Sequence, residues 1–399
     1  MSNVSSITEF LLLAFADTRE LQLLHFALFL GIYLAALLGN GLILSTVACH
    51  HRLHTPMYFF LLNLALLDLG CISTTLPKAM ANALWDTRAI SYQGCAAQVF
   101  FFLFFISAEY FLLTVMAYDR FVAICKPLHY GSLLGSRACA QMAAAAWGSG
   151  FLYSVLHTAN TFSLPLCHGN AVDQFFCEIP HILKLSCSKS FLREVGLIVV
   201  SVSLVFLSFV FIVLSYVQIF RAVLRIPSEQ GRHKAFSTCL PHLAVVSLFL
   251  STGMFAYLKP PSISSQSLDL VVAVVYAVFP AALNPLIYSM RNRQLKDALW
   301  KLLSSRLLSS VSSPSLYVQP GFPRPRCRTR HLLLLNFMRL VIAQLSNLSR
   351  SLCKAFPPST ESTTPPSLVS SANLLKIPSI PTSRLFIKIL KSTGPKMEP

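Results

Sequence analysis

The sequence predicts an all-α fold: a bundle of seven transmembrane helices with an extracellular amino terminus and a cytosolic carboxyl terminus. Three observations predict it. Of 399 residues, 54% are hydrophobic and only 12% charged, at a mean hydropathy of +0.62, too few charges to cover a water-soluble surface of that size. Apolar windows of about 20 residues, the length that crosses hydrocarbon, recur about seven times. Basic residues between those windows gather in alternate loops.

The windows are 24–48, 57–81, 95–125, 139–163, 194–220, 235–258 and 268–290. Residues 1–23 show no basic leader and no small-residue cleavage site follows the first window, so they read as a short tail translocated behind a signal anchor. Arg52 falls in the first loop, Lys126 and Arg137 in the third, Arg221, Arg225, Arg232 and Lys234 in the fifth, and Arg291, Arg293 and Lys296 follow the last window. Such a bias marks the cytosolic side and puts the amino terminus outside. There Asn3-Val4-Ser5 is a usable glycosylation sequon, whereas Asn347-Leu348-Ser349 would be cytosolic.

The formal net charge of +17 belongs mostly to the end of the chain. Residues 1–300 carry 18 basic and 13 acidic side chains, and residues 301–399 carry 14 and 2. A basic cytosolic tail is drawn to anionic membrane lipid. Nucleic acid is not an expected partner, because the chain shows no finger, basic zipper or ribonucleoprotein pattern.

A few groups inside the windows are ones that hydrocarbon penalises. Asp119 and Arg120 stand side by side at the inner end of the third window, where a cation complements the negative end of a helix dipole. A bland reading makes them two snorkelling anchors; Tyr118, Phe121 and the following "AICKPLHY" weigh against it. Asp68 and Glu109 fall deep in windows two and three. Glu109 precedes Arg120 by eleven residues, about three turns or about 16 Å, so both face the same inner side. Two facing carboxylates in low dielectric share a proton or a cation. No nucleophile, metal-ligand set or phosphate loop accompanies them, which argues against an enzyme.

Pro285, after Asn284, removes a backbone donor in window seven, so a carbonyl near Ala281 loses its partner and the helix kinks or takes water. Tyr288 shares the face of Asn284. Pro241 should bend window six in the same way. Of 11 cysteines, Cys95, Cys167, Cys177 and Cys187 should lie outside, and four oxidised thiols allow three connectivities. His168 and His181 stand near them without a zinc spacing. The apolar runs "VFFFLFFISAEY" at 99–110 and "LFLSTGMFAYL" at 248–258 predict a cavity between helices three and six that suits small apolar molecules.

The ordered motifs "GN" at 39–40, "PMYFFLLNLALLD" at 56–68, "MAYDRFVAIC" at 116–125, "SY" at 215–216, "KAFSTCLPH" at 234–242 and "NPLIYSMRN" at 284–292 resemble the olfactory receptors among the rhodopsin-like G-protein-coupled receptors. The match runs from about residue 8 to about 300. It implies a multi-pass plasma-membrane receptor for a small hydrophobic odorant that activates a stimulatory olfactory-type heterotrimeric G protein. The resemblance makes Asp119, Arg120, Tyr216, Asn284, Pro285 and Tyr288 the G-protein switch, with Arg120 held by Asp119 at rest and released when the helices part. It puts a sodium ion, the one cofactor implied, at Asp68 and Glu109. It pairs Cys95 with Cys177 and Cys167 with Cys187. By family position the ligand contacts are Phe102, Leu103, Ile106, Ser107, Val200, Ser203, Leu204, Gly253, Met254 and Tyr257, with Ser107, Ser203 and Tyr257 able to orient a ligand oxygen.

The sequence departs from that pattern in three places. Phe121 replaces a frequent Tyr, Leu250 replaces a frequent Tyr at the toggle position, and the chain runs on after the short amphipathic helix expected at 293–303. Residues 304–399 read as a mostly disordered basic extension in which 331–348 lies on a membrane surface or helps bind a partner rather than spanning an eighth time. Cys327 and Cys353 are candidates for palmitoylation. The alternatives are a rhodopsin-like receptor for another small hydrophobe, or an impaired receptor product.

Overall fold

The computed structural model describes residues 7–16, 18–50, 53–167, 169–187, 191–258, 265–291, 295–298 and 300. Asn3, His168, the extension 304–399 with Cys327 and Cys353, and most of the expected amphipathic helix lie outside the described residues; 295–298 are helical.

Seven long helices are present among the described residues: α1 (Arg19–Cys49), α2 (Pro56–Trp85), α3 (Tyr92–Cys125), α4 (Ser136–Phe162), α5 (Phe191–Leu224), α6 (Glu229–Leu258) and α7 (Gln266–Arg291). Each contains one predicted window or nearly so, and most outrun it, because a helix need not stop where hydrocarbon stops. Local chemistry sets several ends. Pro56 opens α2 at a position where its missing N–H costs nothing, and the Ser91 hydroxyl caps α3 by accepting from the Gly94 N–H at 3.1 Å. Asp86 closes α2 in the left-handed region at φ 52°. Pro127 forbids the residue before it a helical conformation, and α3 ends at Cys125.

Six of the seven, all but α4, are long and apolar enough to cross a membrane. The exception, α4, is rich in small residues such as Ala143–Ala146, Gly148 and Gly150, and the reason lies in its packing. A Cβ at Gly150 would stand 2.7 Å from the Ala108 backbone nitrogen and 2.8 Å from its Cβ, so α3 and α4 touch backbone to backbone. Ser154, one turn on, donates to the Phe100 carbonyl at 2.5 Å, and Trp147 Nε1 donates to Asn63 Oδ1 at 3.1 Å.

The prolines sit inside helices. Pro285 leaves the Ala281 carbonyl without its intrahelical donor, and the Asn40 amide of α1 supplies one at 2.9 Å. Gly39 makes room, since a Cβ there would stand 3.0 Å from Pro285 Cβ. The "GN" pair therefore docks α1 on the proline of α7, with a side chain where water was the expected alternative.

Residues 1–23 are more than a tail. β1 (Glu9–Leu12) pairs antiparallel with β2 (Ala89–Ser91) and parallel with β3 (Ala171–Val172), Phe10 opposite Ile90 and Leu11 opposite Ala171. Phe10 and Leu12 are fully buried against Cys95, Val99, Val172 and Cys177. The first turn of α1 also begins within this segment, at Arg19. A four-residue strand whose partners lie some eighty or more positions away leaves no periodic signal in its own stretch.

Much of α5 faces outward with apolar side chains, Phe206 at 60% and Leu207 at 64% exposure, as lipid contact requires. Among the described residues its buried side chains are Ser201, Ile212, Ser215, Tyr216, Ile219 and Val223. Replacing Gly150 by Val should lower stability by about 1–3 kcal/mol through overpacking against Ala108. The melting temperature of detergent-solubilised protein checks this, with Gly148→Val as the neutral comparison, since a Cβ at Gly148 meets nothing within 4 Å.

Candidate functional site

Three buried polar side chains from three helices meet at the centre of the bundle. Asn284 Nδ2 of α7 donates to Asp68 Oδ1 and Oδ2 of α2 at 3.0 and 3.2 Å and to Glu109 Oε1 of α3 at 3.1 Å. All three are at most 2% exposed, and Asn284 Oδ1 is buried with no hydrogen-bond partner among the described residues. Buried carboxyls without a cation side chain beside them are tolerable only when hydrogen-bonded and neutralised. The amide is the common donor that holds α2, α3 and α7 together.

Further along α3, Arg120 pairs with Asp119 and lies 3.0 Å from Met57 Sδ, at 5% and 1% exposure for Arg120 and Asp119. Tyr130, in the helical turn Tyr130–Leu133 that follows α3, donates its hydroxyl to Asp119 Oδ1 at 2.9 Å. Burial and the neighbouring Asp119 charge push the Tyr130 phenol above its ordinary pKa, so it remains a donor. Phe121 does not reach the carboxylate; its ring lies under Lys126 Nζ at 5.8 Å from the centroid. The hydroxyl on this acid thus comes from Tyr130.

A second chain links α3, α5 and α6. His242 Nε2 meets the Leu113 carbonyl at 3.0 Å, and Nδ1 meets the Tyr216 hydroxyl at 2.7 Å. A carbonyl only accepts, so Nε2 carries the proton and Nδ1 accepts from Tyr216. Tyr288 is 8% exposed and its hydroxyl has no partner among the described residues. The reading of the sequence gave His242 no role, although it closes the "KAFSTCLPH" motif one position after Pro241.

At the other end, the structure joins Cys95 to Cys177 and Cys167 to Cys187, with Cα separations of 5.5 and 5.7 Å. Gln98, also unassigned from sequence, locks the first bridge: its Oε1 accepts from the Cys177 N–H at 2.8 Å and its Nε2 donates to the Thr74 carbonyl at 2.9 Å. Phe175 and Phe176, just before that bridge, are fully buried; Phe176 lies 5.0 Å from the Phe102 ring, and Phe102 lies 6.2 Å from the Tyr276 ring.

The expected ligand contacts do not converge as a set. Phe102 is buried, and Leu103, Ile106, Ser107 and Gly253 are partly so. Val200 at 58%, Leu204 at 43% and Met254 at 55% are exposed, and Tyr257's side chain lies outside the described residues. Ser203 corrects the expectation most clearly. It stands two residues, about 200° around the helix, from buried Ser201 and returns its proton to the Val199 carbonyl at 2.7 Å. The inward hydroxyl of this turn is Ser201. A cavity of about 290 Å³ opens between α6 and α7, lined by Ser251, Thr252, Phe255, Leu268 and Val271 among others.

Residues 29–306 match the family described as olfactory receptor. Human olfactory receptor 14A16 is 50% identical over 307 residues, 77% of this chain and 99% of that protein. The chain belongs to the olfactory receptor family. Human olfactory receptor 14J1 is 49% identical over 308 residues, 77% of this chain and 96% of that protein. Mouse olfactory receptor 5B21 is 43% identical over 312 residues, 78% of this chain and 98% of that protein. This olfactory receptor is a multi-pass plasma-membrane protein, an odorant receptor of the G-protein-coupled class and not an enzyme. The family match ends at residue 306, so most of the basic extension falls outside it.

Asn284→Ala should cost about 1–3 kcal/mol, because both carboxyls lose a buried donor. Asn284→Asp should cost more, by adding a third acid. Thermal denaturation of the purified receptor in detergent ranks the two.

Proposed function

We propose that this receptor binds a small, largely apolar odorant within its helical bundle and activates a stimulatory olfactory-type G protein at the end that carries Asp119 and Arg120. One observation carries the reading: Arg120 is buried and held by Asp119 and Met57, with Tyr130 steadying the acid. Such a guanidinium is stored, and parting of α3 from α6 gives it a new partner. The Leu113–His242–Tyr216 chain ties α6 to α3 and α5 directly above that site, so outward movement of α6 must break it. An odorant that prefers the parted arrangement shifts the equilibrium by its differential affinity for the two states.

The same reading sets the amino terminus outside and the Arg120 end in the cytosol, supported by the basic residues Arg221, Arg225, Arg232 and Lys234 between α5 and α6. It also includes a sodium ion at Asp68 and Glu109. Two carboxyls and the unpartnered Asn284 Oδ1 form an all-oxygen donor set suited to a hard monovalent cation. The ion would offset one negative charge while the bundle is closed, the other carboxyl holding a proton; Asp68, Glu109 and Asn284 would hold it.

Cyclic-AMP readout in cells that coexpress the olfactory G-protein α subunit, challenged with an odorant panel, tests the main reading. Arg120→Ala should abolish the response at unchanged surface expression, and a response that survives it counts against the mechanism. Tyr130→Phe removes one hydrogen bond from Asp119, about 0.5–1.5 kcal/mol, and should raise basal signalling by about two- to tenfold. For the ion, replacing sodium by choline should lower the melting temperature of the wild type and leave Asp68→Asn unmoved.

A further inference from the structure

The cavity between α6 and α7 belongs to neither the switch nor the acid centre, and none of the residues that line it is a ligand contact that the resemblance implied. It opens on the flank of the bundle. Phe255 of α6 and Val271 of α7 stand on its walls at 49% and 58% exposure, on the surface that membrane hydrocarbon covers. Val272 closes the floor, buried in the core cluster that holds Phe102, Phe176 and Tyr276. A molecule dissolved in the bilayer therefore reaches the cavity without crossing water.

Its walls and its size fix what it takes. Phe255, Val271, Val272 and Val275 offer hydrocarbon, and the two hydroxyls on the wall turn their protons back into α6: Ser251 Oγ donates to the Leu248 carbonyl at 3.2 Å and Thr252 Oγ1 to the same carbonyl at 2.8 Å. Among the described residues, no side chain on the wall keeps a free hydrogen-bond donor. The volume of about 290 Å³ is about twice the ~150 Å³ that accepts one benzene, room for about ten carbon atoms. Along α7 the lining runs from Leu268 to Val275, about 10 Å. A phospholipid tail spans half of the hydrocarbon core, about 15 Å, and overruns that length; a compact ring hydrocarbon does not.

We infer that the cleft between α6 and α7 is an odorant site entered from the membrane, and that it takes compact hydrocarbons of about ten carbon atoms in preference to ketones of the same skeleton. The inference rests on the odorant-receptor reading above. Burial against Phe255, Val272 and Val275 supplies the affinity. A ketone oxygen loses its water there and meets no donor. The occupant sits between the helix that carries Asn284 and the helix that carries His242, the latter about 14 Å along α6 from Ser251, so it bears on both polar links of the bundle.

Thermal denaturation of the full-length receptor in phospholipid nanodiscs, with limonene and with carvone, the ketone of the same skeleton, tests this. Limonene should raise the melting temperature of wild type by about 2–4 °C, and carvone should need at least about fivefold more for the same rise. Val275→Phe fills the cleft and should abolish the limonene shift. Val271→Phe, at a side chain exposed enough to accept a larger ring, narrows the mouth and should weaken the shift, whereas Leu207→Phe on the outward face of α5 should leave it whole. A shift that survives both cleft variants, or that Leu207→Phe removes as well, puts the hydrocarbon elsewhere and overturns the inference. Equal sensitivity to carvone overturns it too, as does a wild type that limonene leaves unmoved, the result expected where a lipid tail fills the cleft. Cyclic-AMP readout keeps the two readings apart: a receptor that answers a broad odorant panel but fails these tests loses the inference alone. Silence of surface-displayed wild type to that panel overturns the receptor reading, and the inference with it.

Discussion

Hydrocarbon solvates no charge, and the fold depends on how each ionisable group buried in it finds company. Asp68 and Glu109 are held by one amide, Asn284, so three helices converge on a single donor. Arg120 turns back on Asp119. Each arrangement costs desolvation that its hydrogen bonds must offset, so a displacement of α7 against α2 and α3 is felt at the acid centre and one of α2 against α3 at Arg120.

The long apolar windows made seven helices legible, and motif order picked out Asp119, Arg120, Tyr216, Asn284, Pro285 and Tyr288, because both signals are local in sequence. Asp119, Arg120, Asn284 and Pro285 carry chemistry that hydrocarbon forbids unless it has a purpose, and that contradiction is visible one residue at a time. The contacts of Asn40, Gln98, His242 and Tyr130 were not legible. Each depends on which carbonyl, ring or carboxylate stands opposite, and such pairing across helices leaves no trace in either strand of sequence. Ser203 and Ser201 show the limit most simply, since a hydroxyl two positions along α5 changes from inward to outward with no change in composition.

β1 was illegible for a related reason. A strand of four residues alternates too briefly to register, and its partners come from two other loops. Its burial ties the chain's first described residues to that end of the bundle. Phe10 and Leu12 complete a small core whose other half is the Cys95–Cys177 bridge, so the amino-terminal segment and the loop between α4 and α5 are built as one lid.

The Asn40 amide takes the place of the N–H that Pro285 lacks, in a helix six spans away along the chain. Neither residue can therefore mutate freely in descent. A lineage that exchanged Pro285 would make the Asn40 contact redundant, and one that exchanged Asn40 first would strand a carbonyl in a dry interior. The order of substitutions is constrained as well as their identity, which turns a single bond into a ratchet on the evolutionary paths open to this chain.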